Sequence, residues 1–381
     1  MIARILENTI KSRLFSGKAI ILIGPRQVGK TTLIRSIVAD REEPTVWLNG
    51  DNQEIRDLLE RVNTATWRRI IGDAKILVID EAQRIEDIGI KLKLVTDQIP
   101  EVQLIASGSS AFEMANRINE PLTGRKWEYK LYPLYFGELE ADLGFVNENQ
   151  LLEQRMIYGY YPEVVTGAPD EREILTNIAE SYLFRDVYSW GNIRKPEKLT
   201  ALIQSLAYQL GNEVSYNELS KTVGLDNETV ENYIQLLERA YIIYRLPPLS
   251  RNLRKELKTK RKIYFYDNGI RNAIISQFQP LSNRQDVGAL WENYILSERL
   301  KYLSYYRLYG NRFFWRTSDQ QEIDYVEERD GKMWAAELKW NPKKKARFSD
   351  TFLRAYPEHE LKTVNRENYY EFIAPKAEQS L

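Results

Sequence analysis

Two kinds of apolar pattern alternate along the first third of the chain. Short apolar runs at 19–23, 45–51, 75–80 and 102–107 are separated by segments with helical spacing, such as Leu33, Ile34, Ile37 and Val38, or Leu92 and Val95. Unbroken apolar runs of this length read as strands buried on both faces of a parallel sheet. Residues 1–140 therefore predict an α/β domain with a parallel sheet. From about 145 to 196 the pattern turns helical, interrupted by Tyr158-Gly-Tyr-Tyr-Pro162, with Tyr182-Leu-Phe-Arg185-Asp186 on a later helix. Both aromatic segments read as packing elements.

Residues 197–270 carry the pattern of a winged helix. Helices are expected at 198–210, 215–222 and 227–241, the second capped by Ser215 with Glu218 three residues on. A β-wing then pairs 242–246 with 262–266. In 271–381, Trp291-Glu292-Asn293-Tyr294 opens a helix reaching about 303, followed by strands at 305–309, 312–317, 321–327 and 332–340. The chain thus divides into 1–140, a helical linker or lid at 141–196, the winged helix at 197–270, and an α/β domain at 271–381.

Asp330-Gly331 lies between the last two strands, the strongest short signal for a two-residue hairpin turn. If Arg329 pairs with Lys332, Asp324 falls opposite Glu337 and Glu322 opposite Lys339. Strict alternation puts these four on one face, with Ile323, Tyr325, Ala336 and Leu338 on the other. Facing carboxylates repel unless something positive separates them. One reading is a divalent ion on Asp324 and Glu337, with Glu292 completing its ligands and Lys339 steadying developing charge. The other is a solvent-facing hairpin with a Glu322–Lys339 salt bridge.

Phosphate chemistry is written earlier in the chain. Gly24-Pro25-Arg26-Gln27-Val28-Gly29-Lys30-Thr31, with Thr32 after it, follows a strand and opens a helix. In that context G-x-x-x-x-G-K-T turns its backbone N–H groups toward phosphate oxygens. Lys30 is expected on the β- and γ-phosphates and Thr31 on Mg²⁺. Asp80 and Glu81 end an apolar strand some 50 residues later; Asp80 suits the Mg²⁺ shell and Glu81 the attacking water. Ser109 is the best placed hydroxyl to sense the γ-phosphate. Arg125 reads either as an arginine finger or sensor, or as a surface arginine in a salt bridge.

Composition narrows the chemistry. With no cysteine and one histidine (His359) in 381 residues, disulfides, thiolate sites and a Ser-His-Asp triad are excluded. Any metal is then held by oxygen, which favours Mg²⁺, with Mn²⁺ an option at the C-terminal site. No apolar run approaches the ~20 residues of a membrane helix, and a reducing, cytoplasmic setting is expected. Lys plus Arg and Asp plus Glu are 54 each, so nucleic-acid contact must come from local patches. Residues 251–262 (RNLRKELKTKRK) and 343–347 are such patches, or else solvated loops. The third helix of the winged segment carries Asp226, Glu228, Glu231 and Glu238, which disfavours major-groove reading and leaves a structural or protein-binding role.

GPRQVGKT, ILVIDEAQ, ASGSSAFEM and TGR together resemble AAA-type, archaeal-ATPase-like P-loop proteins of bacteria and archaea. In that family the ATPase is joined to a C-terminal region of unassigned function, and YYPEVV, YFYDNGIRNAI and WENYI look like its recurring landmarks. The resemblance implies an ATP-binding domain, a helical and winged-helix middle, and a restriction-endonuclease-like tail. That tail fold, PD-(D/E)xK, runs helix, three strands, helix, strand. Glu292, Asp324, Glu337 and Lys339 match its acidic and Glu-x-Lys positions in order, with Ile323 in place of the usual proline. A helix near 345–356 and a strand near 361–364 complete the order. The expectation is a Mg²⁺-dependent ATPase whose nucleotide state controls a nuclease-like domain on nucleic acid, DNA before RNA. The alternative is an ATP-driven switch or scaffold for protein partners with a silent tail. The sequence says nothing of oligomeric state.

Overall fold

A computed structural model describes residues 2–109, 121–167, 170–180, 193, 195–249, 261–317 and 319–375. The chain divides into two compact units, Met1–Leu134 with Arg239–Tyr241, and Tyr135–Glu238 with Ile242–Leu381. The residues 182–186 and most of the basic run 251–262 lie outside the described residues, as does part of the ASGSSAFEM segment.

In the first unit five parallel strands lie in the order β2-β3-β4-β1-β5. β1 (Ala19–Ile23) and β3 (Ile76–Asp80) are buried along their whole length, as their apolar runs require, with the Asp80 carboxylate buried at the end of β3. β4 (Gln103–Gly108) is equally buried, while β2 (Thr45–Asn49), with its mixed sequence, forms one edge and β5 (Lys126–Lys130) the other. One face packs Trp67, Ile71, Ile88, Leu92 and Val95 from the helices Thr64–Ile71 and Ile88–Gln98 against Leu77, Ile79 and Leu104. Burial of this kind contributes about 25 cal/mol per Å² of apolar surface. The loop after β1 leads into the helix Lys30–Ala39. Because all five strands run the same way, the loops after β1, β3 and β4 open on one edge of the sheet, where ligands bind in such folds.

The second unit begins with short helices between Phe136 and Glu180. Then come helix Pro196–Tyr208, β6 (Glu213–Val214), helices Tyr216–Val223 and Asn227–Arg239, β7 (Ile243–Leu246) and β8 (Arg261–Phe265). The three strands pair antiparallel in the order β6-β8-β7. The expected cap at Ser215 differs in detail: its side chain makes no capping hydrogen bond, and Glu218 N bonds to the Ser215 carbonyl instead.

The last part has a helix Val287–Tyr305 and a sheet β12-β11-β10-β9, with helix Asp350–Ala355 between β11 (Lys332–Leu338) and β12 (His359–Val364). β9 (Asn311–Arg316), β10 (Glu322–Arg329) and β11 are antiparallel, and β12 joins β11 in parallel. No strand forms at 305–309. The long helix runs on to Tyr305 and ends with Tyr306 N and Arg307 N bonded back to it, Arg307 adopting φ +55°. The hairpin turn is as the sequence expects: Asp330 and Gly331 take φ +49° and +79°, and Arg329 pairs with Lys332.

Alternation along β10 is not strict. The register shifts between Ile323 and Val326, and both join one apolar cluster with Trp315, Met333, Ala335 and Phe352. Ile323 therefore does not share a face with Tyr325, whose ring meets Phe372. A β-bulge, one extra residue in the strand, accounts for the change of phase.

Candidate functional site

The edge of the first sheet gathers the predicted phosphate residues. Gly29 takes φ +91° at the start of helix Lys30–Ala39, and Gln27 also has a positive φ. Lys30 is 5% exposed, and its Nζ donates to the carbonyls of Gly24 (3.0 Å) and Pro25 (2.6 Å), so the ammonium lies inside the curl of the loop. Gly24 is required for close approach: a Cβ there would stand 2.0 Å from the Leu131 carbonyl oxygen. Arg26 is half-buried, Val28 is buried, and Gln27 and Thr32 are exposed on the rim.

Thr31 Oγ1 donates to Asp80 Oδ2 at 2.7 Å, and the Ser107 hydroxyl bonds the other Asp80 oxygen. An all-oxygen pair of hydroxyl and carboxylate beside a phosphate loop fits Mg²⁺. Glu81 follows in the left-handed region, φ +50°, a conformation that costs a non-glycine residue about 1 kcal/mol or more. Its peptide is pinned by Gly50, whose N–H donates to the Asp80 carbonyl at 2.8 Å and whose absent Cβ would lie 2.4 Å from the Glu81 carbonyl oxygen.

Two residues here were not singled out from the sequence. Gln83, 4% exposed, donates through Nε2 to Glu81 Oε2 (2.5 Å) and Ser109 Oγ (2.9 Å), tying the expected base to the expected sensor. Its place in Asp-Glu-Ala-Gln was the available signal. Arg4 donates to the Val28 carbonyl and the Tyr132 carbonyl, each at 2.8 Å, and so clasps the phosphate loop. Nothing local in sequence marks it.

Arg125 is not brought to this edge. It precedes β5, whose first residue pairs with Ala19, whereas the phosphate loop follows Ile23 at the other end of β1. Four residues of strand separate them, about 13 Å at ~3.3 Å per residue. Arg125 instead pairs with Asp97 at 2.6 Å on the surface.

In the second unit Asp324, Glu337 and Lys339 come together. Asp324 Oδ2 accepts from Leu338 N (2.8 Å) and Lys339 Nζ (3.1 Å), and Lys339 reaches Glu337 Oε2 at 2.6 Å. Burial first, then the Asp324 charge, push the Glu337 carboxyl up to about 7. Glu322 departs from expectation: it pairs with Lys262 at 2.7 Å and lies 3.8 Å from Arg316, not with Lys339. Glu292 also meets Lys262, at 3.0 Å, and accepts the Tyr264 hydroxyl. Burial, followed by the attraction of Lys262, sets the balance at Glu292, whose carboxyl is raised.

As arranged, these carboxylates do not fit a divalent ion. An ammonium already bridges Asp324 with Glu337 and another bridges Glu292 with Glu322. Among the described residues no group of three or more acidic or histidine side chains is disposed to hold a metal. The acidic helix Asn227–Arg239 spends Glu238 on Arg245, 2.5 Å away.

The landmark segments pack on one another. Asp267 accepts from Tyr160 N (2.7 Å) and caps the helix Asn268–Ile274, while Asn268 bonds the Met156 and Leu290 carbonyls. Tyr160 stacks on Tyr294, their hydroxyls 3.0 Å apart. Tyr158-Gly-Tyr-Tyr-Pro162, Asp267-Asn-Gly and Trp291-Glu-Asn-Tyr294 are thus joints of the core.

Comparison with known proteins bears on the first unit as a domain. The family profile described as "AAA domain" matches residues 16–140. Residues 16–140 are similar to AAA-type ATPase domains. Two families described only as domains of unknown function, DUF8612 and DUF4143, match residues 149–281 and 287–374. An uncharacterized protein of Mycobacterium tuberculosis is 25% identical over 335 residues, 87% of this chain and 72% of its own length. One from Haemophilus influenzae is 26% identical over 242 residues, 60% of this chain and 58% of its own. Among solved structures, a signal-transduction ATPase with a tetratricopeptide repeat sensor from Pyrococcus horikoshii is 12% identical, with a TM-score of 0.31. That match covers 80% of this chain and 47% of the other. No helix among the described residues is long and apolar enough to cross a membrane.

Proposed function

We propose that this protein binds and hydrolyses ATP with Mg²⁺, and that its nucleotide state controls a C-terminal unit of nuclease-like fold directed at nucleic acid, DNA before RNA. The observation that carries the first half is the Thr31–Asp80 hydrogen bond beside the buried Lys30. Thr31 and Asp80 would hold the ion, which supplies charge neutralisation on the β- and γ-phosphates. Lys30 turns its ammonium from the loop carbonyls to phosphate. Loop N–H groups orient the triphosphate, Glu81 takes a proton from the attacking water, and Gln83 keeps the Glu81 carboxylate next to Ser109.

The nuclease-like reading is supported by the order helix, β9, β10, β11, helix, β12 and by Asp324, Glu337 and Lys339 at the matching places. The segment 197–270, read as a winged helix, would offer a backbone contact or a protein-binding face. The four-part division 1–140, 141–196, 197–270 and 271–381 belongs to this reading.

A second reading, an ATP-driven switch for protein partners with a silent tail, is favoured by the lysine that bridges each carboxylate pair. Cleavage of supercoiled and single-stranded DNA with Mg²⁺ or Mn²⁺, with and without ATP, separates the two. Nicking that disappears in Asp324→Ala and Lys339→Ala supports the nuclease. Intact ATP turnover without cleavage of any substrate selects the switch.

A further inference from the structure

Lys262, the buried cation that bridges Glu292 with Glu322, is not one of the expected site residues and comes from outside the hairpin. It is 3% exposed, with Nζ 3.0 Å from Glu292 Oε1 and 2.7 Å from Glu322 Oε1. Tyr264, two residues further along β8 and so on the same face of the strand, donates its hydroxyl to the same Glu292 oxygen. The donors come from the β6-β8-β7 sheet, and the acceptors from helix Val287–Tyr305 and the first residue of β10.

A buried ammonium and a divalent ion compete for the same carboxylate oxygens. Neither leaves such a place unless another positive charge replaces it, since an uncompensated buried carboxylate is strongly unfavourable. Among the described residues, ion pairs link Glu213, Glu292, Glu322, Asp324 and Glu337 with Lys262, Arg316 and Lys339. Lys339 is on the hairpin itself, where a Glu-x-Lys pair belongs. Lys262 arrives from a different sheet, and nothing in a hairpin site requires it.

We infer that Lys262 is the built-in counter-cation of the acidic cluster, occupying the place between Glu292 and Glu322 that a divalent ion would otherwise take. This rests on the nuclease-like reading only for the importance of the site; the occupancy itself is a matter of charge and geometry. It makes β8 the element that decides whether the cluster is open to metal. Glu292, the expected helix ligand, is committed to Lys262 and Tyr264 while β8 stays in place.

Titration of the nucleotide-free full-length protein with Mn²⁺, followed by electron paramagnetic resonance, tests this. The wild type is expected to take up no ion at the C-terminal cluster. Lys262→Met, of similar length and without charge, is expected to gain one Mn²⁺ per chain at least tenfold more tightly. Adding Glu322→Gln should remove that ion. A folded Lys262→Met that gains none, or a wild type whose Mn²⁺ is lost in Glu322→Gln, overturns the inference. Should Lys262→Met not fold, reductive methylation of the wild type read by mass spectrometry decides. Lys262 should resist modification and become at least tenfold more reactive in Glu322→Gln; reaction at the rate of surface lysines refutes the inference. Both measurements are made without nucleic acid, so absent DNA cleavage would sink the nuclease reading while leaving this one standing.

Discussion

Thr31 and Asp80 are 49 residues apart in sequence and share a 2.7 Å hydrogen bond at the edge of the sheet. The bond joins the helix that follows the phosphate loop to the end of β3, a buried strand separated from β1 by β4. Thr31→Ala and Asp80→Asn should each lower ATP turnover at saturating Mg²⁺ by about 100-fold or more, in line with losses of about 3 kcal/mol from charge-stabilising groups. Lys30→Ala should abolish nucleotide binding itself, read by fluorescent ATP analogue. Normal turnover in Asp80→Asn would remove that residue from the site.

Glu81→Gln should keep ATP affinity and stop hydrolysis. Gln83→Ala is the sharper test, because Gln83 touches Glu81 and Ser109. Its loss should lower kcat by about 10-fold with KM little changed, as expected when a group acts only on the reacting geometry. A change in KM alone would reassign Gln83 to nucleotide binding.

Arg4 holds two carbonyls, those of Val28 and Tyr132, at 2.8 Å. Arg4→Ala leaves both acceptors short of a charged donor, a loss of about 1–3 kcal/mol. The expected result is roughly tenfold weaker ATP binding, with partial recovery in Arg4→Lys. Calorimetric titration with ATP and ADP checks it; unchanged affinity in Arg4→Ala would make the clasp irrelevant to the loop.

Burial and the neighbouring Asp324 hold the Glu337 carboxyl at about 7, above its ordinary 4.5. A raised folded-state value means that its contribution to stability is present below about pH 4.5 and is lost as pH rises to 7 and Glu337 ionises. Stability should therefore fall across that window, and Glu337→Gln should flatten this part of the profile. Asp324→Asn should bring the Glu337 value down. Carbon-13 carboxyl titration reads it directly, and a Glu337 midpoint near 4.5 in the wild type contradicts the expectation.

Gly159 has φ +71°, and a Cβ there would stand 2.0 Å from the Asp267 carboxylate. Gly159→Ala should destabilise the second unit by about 2–4 kcal/mol through strain and displacement of that carboxylate. Urea unfolding measures it; a loss below about 0.5 kcal/mol would show that the joint between the two landmark segments yields easily.

The phosphate loop and Asp80-Glu81 were readable because each lies in one short segment whose flanks declare strand and helix. Asp330-Gly331 likewise set the pairing of Arg329 with Lys332 from local turn chemistry alone. Arg4 and Lys262 were not readable as site residues, because their partners come from distant parts of the chain; Gln83 stands two residues from Glu81, but its contact with Ser109 is made only by the fold. Of the two readings of Arg125, the surface salt bridge is the one the structure shows, and the finger reading fails for the mirror reason. A glycine turn before an arginine suggests exposure for function, but the parallel pairing of β1 and β5 puts it at the far edge. The expected face sharing of Ile323 and Tyr325 failed because alternation presumes an unbroken ladder. The strand at 305–309 failed because the tyrosine-rich end of a buried helix has the same composition as a strand.

The bulge in β10 has a consequence for chain length. Ile323 and Val326 both enter the apolar cluster although they are three residues apart, which an alternating strand permits only with one residue to spare. That spare residue acts as a phase shifter, letting the carboxylate end and the turn end of the strand obey different countings. Deleting either Asp324 or Tyr325 would restore a single counting, so the strand can exchange side chains far more freely than it can change its number of residues.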